Sequence, residues 1–127
     1  MSEPTIARRL ERRIILMTRD ADIQNRLQSC IEPPWELMTV TDLEDLGSWN
    51  EVLLYRFMLL DLDEVEAFDP LDVIRILRME YQINLPVFCF GGDEDIRDEM
   101  RLSRADRFFT REEMVARLPD FLQQYAW

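Results

Sequence analysis

The 127-residue chain has no histidine and no lysine; all 15 of its basic residues are arginines. Without an imidazole it has no histidine general base, no histidine metal ligand and no histidine for phospho-relay. Glycine is scarce, with 3 residues, and none stands in a G-x-G-x-x-G or G-x-x-x-x-G-K-[ST] loop. Those loops cradle phosphates on backbone N–H groups, so nucleotide and flavin cofactors are disfavoured. A nucleophile elbow and a Cys/His pair are also missing. The two cysteines, Cys30 and Cys89, are distant in sequence and lie in apolar surroundings. They read as small core residues in a reduced compartment, not as a disulfide or metal pair. No apolar run approaches the roughly 20 residues that cross a bilayer. Met1 to Arg13 lacks the apolar stretch of a signal peptide, and a cytoplasmic location is expected.

What is present is apolar and acidic. Apolar residues make up 47% of the chain, enough for a core, and the net charge is −11. Such a field repels nucleic acid and anionic membrane surfaces, so neither is expected as a partner. The basic cluster Arg8, Arg9, Arg12 and Arg13 is a local exception that reads as a solvated tail or leading helix. The length fits one domain, and the opening Met1 and lack of a trailing linker fit a complete chain.

Apolar runs and helical stripes alternate. Short strands are expected at Arg13–Thr18, Glu36–Thr41, Arg56–Asp61, Leu85–Phe90 and Arg107–Thr110. The third, RFMLLD, is continuously apolar up to its acidic end, as in a strand covered on both faces. Helical spacing recurs at Ile23, Leu27, Cys30 and Ile31, with Asp20 as a cap, and at Val73, Ile74, Leu77 and Tyr81, with Asp69 as a cap and Pro70 in the first turn. Asp42 to Trp49 suggests a short helix or turn. Asp93 to Arg104 is a strongly charged helix with Ile96, Met100 and Leu102 apolar. Glu112 to Trp127 is a last helix that Pro119 is expected to kink or split. The pattern is an α/β fold, (βα)5, with a doubly wound parallel sheet and right-handed crossovers.

Open parallel sheets bind ligands at the carboxyl ends of their strands. Those ends carry Thr18-Arg19-Asp20, Asp61-Leu62-Asp63, Gly91-Gly92 and Thr110-Arg111. Here the chain resembles the response-regulator receiver domain, a flavodoxin-like fold with strand order 2-1-3-4-5. The resemblance covers roughly residues 13 to 124, with 1–11 as an N-terminal appendage and 12–127 as the receiver-like domain. FMLLD resembles that family's phospho-acceptor strand, which makes Asp61 the acceptor position. Arg104 to Arg111 resembles the block that ends in the family's lysine, here Arg111, with Phe108 at the switch-aromatic position. Pro86 to Phe90 resembles the fourth strand, and Gly91 stands where the family has Thr or Ser. The acidic pair that holds Mg²⁺ in the family falls on Thr18 and Arg19.

The resemblance thus implies an acceptor site stripped of its working parts. An Mg²⁺ ion is expected only if Asp61 is phosphorylated, with Asp61, Asp63 and Asp20 as its candidate ligands. The preferred expectation is substitution: Arg19 and Arg111 flank Asp61 and pair with it directly, since a guanidinium is always charged and suits carboxylates. Asp63, Glu64 and Glu66 read as a solvated acidic loop. No catalysis is then expected. Function would lie in phosphorylation-independent recognition of a protein, or in a homodimer through the face of helix four, strand five and helix five, where Arg97, Arg101, Arg104 and Arg107 alternate with Asp93, Glu94, Asp98 and Glu99. The terminal Tyr125 to Trp127 would pack back or anchor a partner. The alternatives are a genuine phospho-acceptor of a two-component system, served by a histidine kinase, and an unrelated flavodoxin-like enzyme.

Overall fold

The computed structural model describes residues 11–64 and 66–126. The strands are β1 (Arg12–Met17), β2 (Trp35–Val40), β3 (Met58–Asp61), β4 (Val87–Phe90) and β5 (Arg107–Phe109). They pair in parallel in the order β2-β1-β3-β4-β5, with Asp61 opposite Phe90 at the end of the central strand. The helices are α1 (Ala21–Gln28), α2 (Trp49–Val52), α3 (Pro70–Arg75, continued by a π-turn over Ile76–Glu80), α4 (Glu94–Leu102) and α5 (Arg111–Gln124). Leu43–Leu46 forms a 3-10 turn before α2. The expected doubly wound (βα)5 architecture is the observed one.

Every residue of β3 and β4 is buried, because alternate side chains feed two separate cores. Ile15, Met17, Met58, Leu60, Val87 and Cys89 pack with Val52 of α2, Val73 and Ile74 of α3 and Met100 of α4. Ile14, Leu16, Leu59, Phe88 and Phe90 pack with Ile23 and Leu27 of α1 and with Met114, Leu118 and Phe121 of α5. Each such side chain stabilises the fold by roughly 1.5–3 kcal/mol through removal from water. Polar first turns set the helix starts. Asp20, Asp69 and Asp93 each accept backbone N–H groups at an N-cap, and Thr110 with Glu113 forms a reciprocal capping box.

Two features differ from expectation, and a third, a buried arginine, has no sign in the sequence. Leu102, grouped with Ile96 and Met100 as the apolar residues of α4, is 86% exposed where Met100 is buried. Pro119 neither splits nor ends α5, which runs through it. A proline there removes only the N–H that would meet the carbonyl of Val115, and the Cys30 thiol lies 3.9 Å from that oxygen. Arg78 is almost fully buried. Its guanidinium donates to the carbonyls of Arg104 (3.1 Å) and Ile83 (2.9 Å) and to Asp106 Oδ2 (2.9 Å). Burial lowers its pKa and the Asp106 charge opposes that shift. The Tyr125 ring packs back, 5.2 Å from that of Phe57, and Arg56 donates to the Tyr125 carbonyl. Trp127 and residues 1–10 of the expected appendage, with Arg8 and Arg9, lie outside the described residues.

Candidate functional site

β3 delivers Asp61 to the carboxyl edge of the sheet as a buried carboxylate, 3% exposed. A buried carboxylate needs its lone pairs met by donors, and this one is surrounded by them. Oδ2 accepts from the Thr18 hydroxyl at 2.7 Å. Oδ1 accepts from the backbone N–H of Asp63 and from Arg111 Nη1, both at 2.9 Å. Thr18 itself is 1% exposed, and its Oγ1 also accepts the backbone N–H of Asp20 at 3.1 Å.

Arg111 is the first residue of α5, so its side chain leaves the helix start and lies across the strand ends. Nη1 donates to Asp61 Oδ1 and, at 3.0 Å, to Asp63 Oδ2; Nη2 donates to Asp20 Oδ2. The guanidinium also sits 5.1 Å over the Phe90 ring. Burial would lower its pKa, but the bond and charge of Asp61, and then those of Asp20, outweigh this and hold it above the ordinary value. Asp20 is pushed up by its slight burial and brought down further by the backbone N–H of Ile23, by Arg111 and by the N–H of Asp22.

The end of β4 completes the arrangement. Asp63 Oδ1 accepts the Gly92 N–H at 2.9 Å, which holds the carboxylate over Gly91. A Cβ at Gly91 would lie 2.2 Å from Asp63 Oδ2, and the residue has φ +74°, a left-handed conformation that glycine tolerates best. Arg97 of α4 donates to the carbonyls of Gly91 (3.0 Å) and Phe109 (3.3 Å), tying that helix to the ends of β4 and β5.

The expected pairing of Arg19 with Asp61 is not observed. Arg19 is half exposed and turns outward to Glu64 (3.4 Å) and Glu66 (2.8 Å). The Glu66 bond and the Glu64 charge raise its pKa. The acidic loop is correspondingly not simply solvated. Asp63 belongs to the Arg111 cluster, and Glu64 accepts the backbone N–H groups of Ala67 (2.8 Å) and Glu66 (2.9 Å). Phe108 is partly buried, with the Arg101 guanidinium 4.7 Å over its ring. Arg97, assigned from the sequence to an outward face, instead clamps two backbone carbonyls; nothing in its helical spacing marks that role. Nor does the sequence mark Asp20 and Asp63 as partners of Arg111, although all three stand at strand ends.

A divalent cation does not fit this set of residues. Asp20, Asp61 and Asp63 are the nearest candidate ligands, and one guanidinium already bridges all three. Among the described residues, no group of three or more acidic or thiol side chains is arranged to hold a metal ion. None of the helices of the described residues is long and apolar enough to cross a membrane.

A five-stranded parallel sheet of order 2-1-3-4-5, with an acidic residue ending its central strand, defines a doubly wound class of fold. Within that class, the fold is that of response-regulator receiver domains. Similar solved structures include the phosphorylated cyanobacterial phytochrome response regulator RcpA, at 14% identity over 91% of this chain and 94% of that one, with a TM-score of 0.69. The receiver domain of TorR, the response regulator of the TMAO respiratory system, matches at 20% identity over 90% and 98%, TM-score 0.69. A signal receiver domain from Bermanella marisrubri matches at 21% identity over 87% and 97%, TM-score 0.63. No family model matches the chain, and no curated protein matches it in sequence.

Proposed function

We propose that this chain is an atypical receiver module that works in bacterial signalling by binding a protein partner, without phosphorylation of Asp61. The observation that carries this reading is the state of the Asp61 carboxylate, with both oxygens occupied by Thr18, the Asp63 N–H and Arg111. Carboxylate attack on a phosphoryl group needs a free oxygen and a cation that screens the incoming anion. Here the attacking oxygen is held by donors, and the place beside it is filled by a side chain. Neither Thr18 nor Arg19 supplies a carboxylate after β1, Gly91 supplies no hydroxyl, and no lysine exists to take that part.

A module of this kind has no chemistry of its own and acts in the cytoplasm through its surface. The side built from α4, β5 and α5 suits a polar protein partner or a second copy. Exposed Arg101 and Arg107 stand there beside Asp98 and Glu99, with the largely exposed Leu102 at the helix end. Mixed charge of this kind favours orientation and selectivity over raw affinity.

The test is incubation with acetyl phosphate and Mg²⁺, read by intact mass, with Asp61→Asn as control. No Asp61-dependent gain of a phosphoryl group is expected. Stoichiometric labelling that disappears in Asp61→Asn would overturn the reading in favour of a working phospho-acceptor.

A further inference from the structure

Three carboxylates reach the site from different stretches of chain. Asp20 caps α1, Asp61 ends β3 and Asp63 lies in the loop that follows; all three meet the side chain of Arg111. A guanidinium carries five N–H donors in one plane and can serve several carboxylates at once, which an ammonium on a flexible stem does less well. Arg19, the other cation nearby, is spent on Glu64 and Glu66 and contributes no contact to the three.

The position of Nη1 decides what else can enter. It lies 2.9 Å from Asp61 Oδ1 and 3.0 Å from Asp63 Oδ2. A magnesium or manganese ion binding the same two oxygens would sit at about 2.0–2.2 Å from each, in the wedge that Nη1 closes. Ion and guanidinium are therefore mutually exclusive. We propose that Arg111 is a built-in cation that keeps divalent metal out of this site, and that Asp20, Asp61 and Asp63 close on a divalent metal only once it is removed. The inference rests on the same locked geometry as the functional reading, but it makes a separate claim about metal. Without the guanidinium, three carboxylates lose the counter-charge they share across its two terminal nitrogens, and Asp61 loses it while buried. That is costly to leave uncompensated and is the charge that draws a hard cation.

The experiment is a Mn²⁺ titration of the wild-type chain and of Arg111→Ala. It is followed by paramagnetic broadening of the Asp63, Gly91 and Gly92 amides and by the thermal midpoint, with Mg²⁺ as a diamagnetic check. Wild type is expected to show neither saturable broadening nor a midpoint shift at millimolar metal. Arg111→Ala is expected to have a lower midpoint without metal and to recover with Mn²⁺, with selective loss of those three amide signals. Adding Asp20→Asn to that variant should weaken the recovery. Loss of stability alone would not produce a metal-dependent rescue. Should Arg111→Ala fail to fold, Arg111→Gln and refolding in the presence and absence of Mn²⁺ decide the question: metal-dependent recovery supports the proposal, and its absence overturns it. Saturable binding by wild type at the same concentrations, or a folded variant blind to Mn²⁺, also overturns it. Metal binding by wild type with no labelling of Asp61 would sink this inference and leave the functional reading standing. Labelling of Asp61 would sink the functional reading instead.

Discussion

Asp61→Asn is the substitution whose sign separates a locked site from an open acidic one. In a pocket of uncompensated carboxylates, removing one charge relieves repulsion and stabilises the fold. Here the balance runs the other way. Oδ1 takes two donors and Oδ2 takes the Thr18 hydroxyl, so an amide N–H₂ in either place would face a group that now donates. The least costly arrangement keeps the amide oxygen on Asp63 N and Arg111 and points the N–H₂ at Thr18. That hydroxyl already accepts the Asp20 N–H, so it would have to give up donation and accept twice. The Arg111 pair also becomes a neutral hydrogen bond. Hydrogen bonds to charged groups contribute about 1.5–3 kcal/mol each; relief of repulsion with Asp20 and Asp63 is small, because Arg111 already neutralises part of it. Asp61→Asn should therefore destabilise by about 1.5–3 kcal/mol. In urea unfolding followed by tryptophan fluorescence, with slopes of about 1–3 kcal/mol/M, the midpoint should fall by roughly 1 M at unchanged slope. An unchanged or raised midpoint would refute the picture of a carboxylate held on both oxygens by donors.

Gly91→Thr should not restore a useful hydroxyl. Its Cβ would meet the Asp63 carboxylate in a left-handed backbone position, at a cost on the order of 1–3 kcal/mol from the backbone alone, measurable as a lower thermal midpoint. Arg78→Met should cost about 1–3 kcal/mol, since it leaves the carbonyls of Ile83 and Arg104 without that donor, while the half-exposed Asp106 carboxylate keeps water and the Val87 N–H; denaturant unfolding reads this directly. Asp20 makes a pH prediction. Its carboxyl is held below the ordinary 3.8, so the folded state binds fewer protons than the unfolded state in that range. Its contribution is present above the unfolded value and is lost as pH falls through the folded one. Acid titration of unfolding free energy should thus be shallower below pH 4 in Asp20→Asn than in wild type.

Much of the fold was legible in the sequence because it rests on properties that single residues announce. β3 and β4 are continuous apolar runs, and a strand covered on both faces demands that. Asp20, Asp69 and Asp93 stand just before helical stripes and do cap them. The site was legible only as a collection of positions. Arg19 and Arg111 have the same chemistry and both follow strands, yet one turns to Glu64 and Glu66 and the other crosses the sheet edge. That choice depends on where each loop carries its acidic residues, and no local pattern encodes it. Arg78 was invisible for the same reason: an arginine in a helix reads as exposed until its carbonyl partners, from Ile83 and Arg104, are known to lie across from it. The helix is not split at Pro119 because the rule for an isolated helix omits the packing of Leu118, Phe121 and Leu122 on either side of the proline.

The carboxylate of Asp63 standing over Gly91 also governs which sequences are neighbours of this one. A side chain at position 91 collides unless Asp63 has already moved, and Asp63 is held by Arg111 and the Gly92 amide. Replacing Arg111 first exposes three carboxylates to one another. Each single step away from the present arrangement is worse than the start, although a combined change at 63, 91 and 111 need not be. The site therefore sits in a mutational valley, and variants selected for a regained hydroxyl or an altered cation at this edge should carry paired or triple substitutions, not single ones.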